Sequence, residues 1–215
     1  MTTDDSYEWT PHGVGVGPHP EPWPDDLRYD TDLLTNGDAR NVTDAYRYWT
    51  VEAIKADLDT RRRPLHVAIQ NWEHDFNIGS IVRSANAFNA AGVHIIGRKR
   101  WNRRGALVTD KYLDVHHHPT VDDLVAWLGS QSIPLVGVDN LPGSVALETH
   151  ELPESVCLLF GSEGPGLTDE AVAACSALVH ITQAGSTRSL NAGAAAAIAM
   201  YHWAVRWAPP VIGRQ

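Results

Sequence analysis

The chain has 215 residues, 17 Lys and Arg against 26 Asp and Glu, 11 His and a formal net charge of −9. With 43% hydrophobic and 20% charged residues it has the balance of a globular protein with one core, or a core plus an extension. No stretch approaches the ~20 apolar residues that span a bilayer. The first residues lack the basic and apolar pattern of a leader, and Cys157 and Cys175 suit neither a disulfide framework nor a CxxC metal motif. A reducing, cytoplasmic setting without membrane or metal is therefore expected.

Taken whole, −9 argues against a nucleic-acid partner. The charge is uneven, however. Residues 1–60 hold 4 basic and 13 acidic side chains, residues 61–111 hold 10 basic and 3 acidic, and residues 112–215 hold 3 basic and 10 acidic. A basic belt thus lies between two acidic segments. Residues 1–60 are expected to form an acidic N-terminal arm and helix, and residues 61–215 the main domain.

Within the arm, residues 11–25 carry three glycines and five prolines, which excludes helix and central strand. Trp9 and Trp23 suggest docking of this stretch on protein. Residues 43–59 read as a helix from the spacing of Ala45, Tyr48, Trp49, Ala53 and Ala56, with Asn41 or Thr43 as cap. From residue 65 the pattern alternates. Strands are predicted at Leu65–Gln70, Val93–Ile96, Leu135–Val138, Val156–Phe160 and Leu178–Ile181, and helices at Ile78–Ala91, Val121–Leu128, Thr168–Cys175 and Leu190–Trp207. That alternation predicts an α/β fold with a mostly parallel sheet and helices on both faces. His116, His117 and His118 are contiguous, offer no metal-ligand spacing, and read as a solvated strand end or a dimer contact.

Three segments carry chemistry. The first leaves a strand, turns through polar residues and enters a helix near Asn77, with Gly79 and Arg83 following. Open α/β sheets bind ligands at such carboxyl ends. The second, Leu158 to Leu167, runs from an apolar strand into a glycine-rich loop. It is neither a Walker loop nor a dinucleotide fingerprint, and Glu163 inside it disfavours a phosphate. In the third, Arg188, Ser189, Leu190 and Asn191 precede a helix built of alanine, which allows close packing.

In this order the segments resemble the SpoU family of the SPOUT superfamily, S-adenosylmethionine-dependent RNA 2′-O-ribose methyltransferases. The matched residues are Asn77, Gly79 and Arg83, then Gly161, Glu163 and Gly166, then Ser189, Leu190 and Asn191, within about residues 64–207. The resemblance implies a C-terminal deep trefoil knot, a homodimer through the knot, and a cofactor held by three loops. Val138, Phe160, Gly161, Ile181, Ser189 and Leu190 would bind S-adenosylmethionine. Arg83, Asn77, Glu163, Ser189 and Asn191 would serve catalysis, Arg83 either as base or as a group that orients the hydroxyl and pairs with phosphate. The family's proline after the position of Ile181 is absent, since Thr182 and Gln183 follow, and Ala192 and Gly193 replace a commoner pair after Asn191.

The belt then gains a role. Arg98, Lys99, Arg100, Arg103 and Arg104 would track RNA phosphates, with Trp101 stacking on a base. The RNA is tRNA or rRNA, and the acidic arm is expected to fold away from this track or compete for it. The alternatives are a non-catalytic RNA-binding relative and a nucleotide-dependent oxidoreductase.

Overall fold

A strand buried along nearly its whole length organises the larger part of the molecule. The structure, a computed structural model, describes residues 15–72, 77–162 and 164–208. These fall into two units, up to Thr60 and from Arg61 on. In the second unit β1 (Arg63–Asn71) sends Leu65, Val67 and Ile69 into one apolar cluster and Ala68 into another on the opposite side. A strand buried on both faces is the mark of a parallel sheet covered by helices.

The remaining strands are β2 (Ala90–Gly97), β3 (Val115–His118), β4 (Leu135–Val138), β5 (Val145–Ala146), β6 (Val156–Phe160) and β7 (Ala177–His180). They form one sheet of order β3-β2-β1-β6-β4-β7-β5, and every pairing is parallel. The first apolar cluster joins this sheet to α3 (Ile78–Ala87) and α6 (Ala192–Trp207). The second joins it to α4 (Val121–Ser130) and α5 (Asp169–Ala174). Thr120 and Asp123 form a capping box on α4, and Thr168 caps α5. The expected α/β class with helices on both faces is therefore present.

Several boundaries differ from expectation. The helix expected over Ile78–Ala91 ends at Ala87, because Asn89 adopts a positive φ of 52° and Ala90 already belongs to β2. Asn89 also accepts from Arg62 at 3.0 Å, and Arg62 donates to the Tyr112 carbonyl, so that belt arginine holds the domain together. The last helix begins at Ala192, with Leu190 outside it and Asn191 as its cap. The alanine run lets α6 lie close to the sheet through Ala196 and Ala199, while Trp203 and Trp207 anchor its end on the carbonyls of Pro153, Glu154 and Leu152.

In the first unit the single helix expected over 43–59 is broken. A 3-10 turn (Asp44–Tyr46) precedes α2 (Val51–Asp59), because Tyr48 takes φ 62° and Thr50 caps α2 through the Ala53 N–H. A short α1 (Thr31–Asn36), capped by Asp30, was not anticipated. Asp38 is fully buried there. It pairs with Arg40 at 2.7 Å and accepts the Tyr48 N–H at 3.0 Å. Tyr48 in turn donates its hydroxyl to the Gly17 carbonyl. Trp23 is partly exposed and donates to the His19 carbonyl, and Trp9 lies outside the described residues.

The histidine run is a strand with an interior role. Register places His94 of β2 beside His116 of β3, and His66, His94 and His118 fall on the α4 side of the sheet. His66 Nδ1 and His94 Nε2 are 3.0 Å apart, and His94 Nδ1 and His118 Nε2 are 2.9 Å apart. One shared proton per link satisfies both bonds when all three rings are neutral. His116 stacks on His94 at 5.0 Å, and Trp127 of α4 lies 4.6 Å from the His94 ring. Only His117 keeps the outward orientation expected for the run, with Nε2 on the Gly97 carbonyl.

Burial pushes His94 down to about 2, with the neighbouring histidines adding to it, and burial with His116 pushes His66 down to about 4. Both rings are neutral in the fold, whereas unfolded histidines take up protons near pH 6.5. Stability is thus fully present above pH 6.5 and falls as the pH drops toward 4, by about 1.4 kcal/mol per unit for each such ring. Urea unfolding at pH 7.5, 6, 5 and 4.5 should trace this decline, and His94→Gln should flatten it.

Candidate ligand cavity and nucleic-acid surface

Three parallel neighbours, β6, β4 and β7, end side by side, and a cavity of about 430 Å³ opens beyond their carboxyl ends. Val138 ends β4, Phe160 ends β6, and His180 and Ile181 lie at the end of β7. All six residues expected to bind a cofactor, Val138, Phe160, Gly161, Ile181, Ser189 and Leu190, line this one cavity. They come from three strand ends and the loops that follow them, which the sheet brings together.

The glycine loop is folded on itself. Gly166 donates its N–H to the Ser162 carbonyl at 3.0 Å, and a Cβ on Gly161 would overlap the backbone of Gly166 and Leu167. Only glycine at 161 permits this closure. The far end of the loop is fixed from below by Gln70, a fully buried residue of β1. Its side chain donates to Thr168 Oγ1 at 2.9 Å and accepts the Thr168 N–H at 3.1 Å. Glu163, expected to serve this loop and to meet Arg83, lies outside the described residues.

Two residues that sequence reasoning passed over clasp the loops together. Asp139 follows Val138 and accepts the Leu167 N–H at 2.9 Å. Asn140 donates to the Arg188 carbonyl at 3.3 Å. The wall after β4 is thereby tied to the glycine loop on one side and to the segment before Ser189 on the other. A polar pair directly after a strand end was the available signal. Glu148 makes a further tie by accepting the N–H and hydroxyl of Thr182 at 3.2 and 3.1 Å.

The residues expected to be catalytic separate into two groups. Asn77, 8% exposed at the start of α3, accepts from Asn191 Nδ2 at 2.8 Å, and Asn191 Oδ1 caps α6 through the Ala194 N–H at 3.2 Å. One amide thus serves as helix cap and as bridge between two helix starts. Asn191 and Ser189 also line the cavity. Arg83 is apart from them. It sits on the exposed side of α3, is not among the lining residues, and forms no hydrogen bond or ion pair among the described residues.

The basic loop lies against the same helix. Gly79 in the first turn of α3 faces Gly105, where an added Cβ would stand 2.8 Å from backbone atoms, so the two segments touch without side chains between them. Asn71, at the end of β1, donates to the carbonyls of Arg98 and Arg100 at 2.7 and 3.0 Å and holds the loop's start. Arg98, Lys99, Arg100, Arg103 and Arg104 are exposed. Trp101 is half-buried against the core, with the Arg103 guanidinium over its ring at 5.4 Å, and Arg103 pairs with Asp110 at 3.3 Å. Its orientation is therefore set by protein contacts. Among the described residues no group of three or more His, Cys, Asp or Glu is placed to hold a metal, and no helix is long and apolar enough to cross a membrane.

Known proteins are similar to this chain in sequence and in fold. A tRNA (guanosine(18)-2'-O)-methyltransferase of Escherichia coli is 28% identical over 149 residues, covering 67% of this chain and 65% of that one. The SpoU methyltransferase AviRb from Streptomyces viridochromogenes, solved in complex with the cofactor AdoMet, superposes with a TM-score of 0.60 at 28% identity, covering 68% of this chain and 62% of its own. A structure described as giving insights into the 2-OH methylation of C/U34 on tRNA matches with a TM-score of 0.59 at 26% identity, covering 66% of this chain and 95% of its own. The chain thus spans less than two thirds of the length of the first two. The SpoU rRNA Methylase family model matches residues 64–201, which contain the strands, the three cavity loops and the basic loop described above, and the chain belongs to that family.

Proposed function

We propose that the protein transfers a methyl group from S-adenosylmethionine to a ribose 2′-hydroxyl of tRNA or rRNA. The observation that carries this reading is the cavity at the ends of β4, β6 and β7, which residues of the second and third motif segments line and to which Asn77 of the first is tied through its bond to Asn191. The AdoMet complex of AviRb and the tRNA methyltransferases among the relatives support it. So does the neighbour studied for 2-OH methylation on tRNA, whose length is almost wholly covered.

The cavity fits the cofactor. Its volume of about 430 Å³ lies in the usual range of ~300–1,000 Å³ for small-molecule sites. Gly161 keeps the glycine-loop wall free of a side chain. When bound, S-adenosylmethionine supplies an electrophilic methyl on a sulfonium. Val138, Phe160, Ile181 and Leu190 exclude water from it, and Ser189 borders it. Asn77 and Asn191 hold the starts of α3 and α6 in fixed relation, so that the RNA backbone meets the cavity in one geometry.

Arg83 projects from α3 on the side open to RNA. A guanidinium stays protonated at neutral pH, so the role it fills most readily is pairing with a phosphate and aligning the adjacent 2′-hydroxyl. The loop from Arg98 to Arg104 extends the phosphate track, with its exposed cations screened by salt.

A homodimer through the face that carries α6 belongs to the same reading. Ile198, Tyr201 and Val205 form an exposed apolar stripe along one side of α6, with Leu190 exposed before its start. Such a stripe is the usual mark of a covered surface. The trefoil knot is part of the proposal as well, supported by the position of β4 between the later strands β6 and β7. The free thiols of Cys157 and Cys175 support a reducing, cytoplasmic setting.

Incubating the protein with tritiated cofactor and separate tRNA and rRNA pools should label one pool, with the modification mapped as 2′-O-methyl. RNA binding without incorporation from any pool would instead identify a non-catalytic relative. Arg83→Ala should lower turnover about a hundredfold or more while leaving cofactor affinity unchanged. Gly161→Val should abolish cofactor binding in calorimetry while the far-ultraviolet spectrum is retained. Ile198→Arg with Tyr201→Arg should convert a dimer to a monomer in sedimentation.

A further inference from the structure

The start of α3 is held between the cavity helix and the basic loop, and one small side chain stands at that seam. Ser80 is exposed in the first turn of α3. A Cβ on Gly193 of α6 would stand 3.3 Å from Ser80 Cβ, 3.2 Å from Asn191 Oδ1 and 3.6 Å from Asn77 Oδ1. On the other flank, a Cβ on Gly105 of the basic loop would stand 3.0 Å from the Ser80 nitrogen. Asn191, Ala192 and Ala195, which bracket Gly193 in the chain, line the cavity. Arg83 follows Ser80 by three positions, so the two exposed side chains share one face of α3 about a turn apart. Ser80 adjoins the start of α6, and Arg83 stands further along the helix.

The two side chains offer different chemistry. A ribose 2′-hydroxyl attacks a methyl through an oxygen lone pair, so its O–H must point away, toward an acceptor. Arg83 cannot be that acceptor, because a guanidinium carries donors alone. Nearby side-chain groups are committed. Asn77 Oδ1 accepts from Asn191 Nδ2, Asn191 Oδ1 accepts the Ala194 N–H, and Ser84 Oγ donates to the Ser80 carbonyl at 3.0 Å. The Ser80 hydroxyl forms no hydrogen bond among the described residues. It has both a donor and acceptor lone pairs, which suits a ribose hydroxyl that is itself donor and acceptor.

We propose that Ser80 contacts the RNA and accepts the 2′-hydroxyl O–H of the target ribose, while Arg83 takes the adjoining phosphate. The assignment rests on the methyltransferase reading above and deepens it. It makes the first turn of α3 the place where ribose is told from deoxyribose. Gly193 belongs to the arrangement, since a side chain there would crowd both Ser80 and Asn191.

Binding of two RNAs to the full chain tests this. Both carry the nucleotide at which methylation has been mapped, one with ribose and one with 2′-deoxyribose at that nucleotide alone. With S-adenosylhomocysteine present, the unaltered protein should prefer the ribose form by about threefold to tenfold in filter binding, the worth of one hydrogen bond. Ser80→Ala should erase the preference, and Ser80→Thr, which keeps the hydroxyl, should retain it. Turnover of Ser80→Ala should fall about tenfold or more, with S-adenosylhomocysteine affinity within about twofold. Alanine suits a helix better than serine, so the thermal melt of this variant should not fall. Absence of the preference in the unaltered protein, its survival in Ser80→Ala, or its loss in Ser80→Thr overturns the proposal and leaves the methyltransferase reading intact. Failure of the unaltered protein to label either tRNA or rRNA overturns both.

Discussion

The insertion of β4 between β6 and β7 is the constraint on which the rest depends. Leu135–Val138 pairs on one edge with Cys157–Phe160 and on the other with Ala177–Val179. Because all three strands run parallel, their carboxyl ends lie together, and each is followed by a loop. Had β4 paired elsewhere, Val138, Phe160 and Ile181 would not share a cavity. The paired strands also bury residues on both faces, which ties the cavity floor to both apolar clusters.

Buried polar groups tie distant segments of the chain together. On the α4 side of the sheet, His66, His94 and His118 satisfy one another beneath Trp127, and the result is a structural network that must remain neutral. Gln70 likewise places both ends of its amide on Thr168. Asn77 and Asn191 join the starts of α3 and α6 in the same way. Satisfied networks of this kind rigidify a fold.

Much of the site was legible in the sequence, for local reasons. A strand that ends in Gly161 and a helix that begins after Asn191 leave short-range signatures in glycine and capping residues. The strands Leu135–Val138 and Val156–Phe160 were readable from their apolar runs, and the motif residues that line the cavity from their resemblance to the family. The end of α3 was not, because Ala90 and Ala91 suit a helix as well as a strand, and the decision falls to Asn89. The break between residues 43 and 59 was hidden similarly, since apolar spacing continues across Tyr48 while its backbone does not. The role of His116 and His118 was invisible because it depends on two other strands and on Trp127.

By itself the sequence determined the alternation of strands and helices, the family, the motif residues and the place of the basic belt. The alternation and the belt follow from periodicity, capping and composition, which act over a few residues at a time, and the family and its site residues from resemblance to known motifs. Tertiary structure alone decided that Asn77 bonds Asn191, that Asp139 and Asn140 clasp the three loops, and that Arg83 stands outside the cavity while Gln183 lines it. Asn77 and Asn191 are 114 positions apart, and no local pattern records such a contact. It exists because a parallel sheet stacks distant strand ends at one edge, where side chains meet by position in the sheet and not by order in the chain.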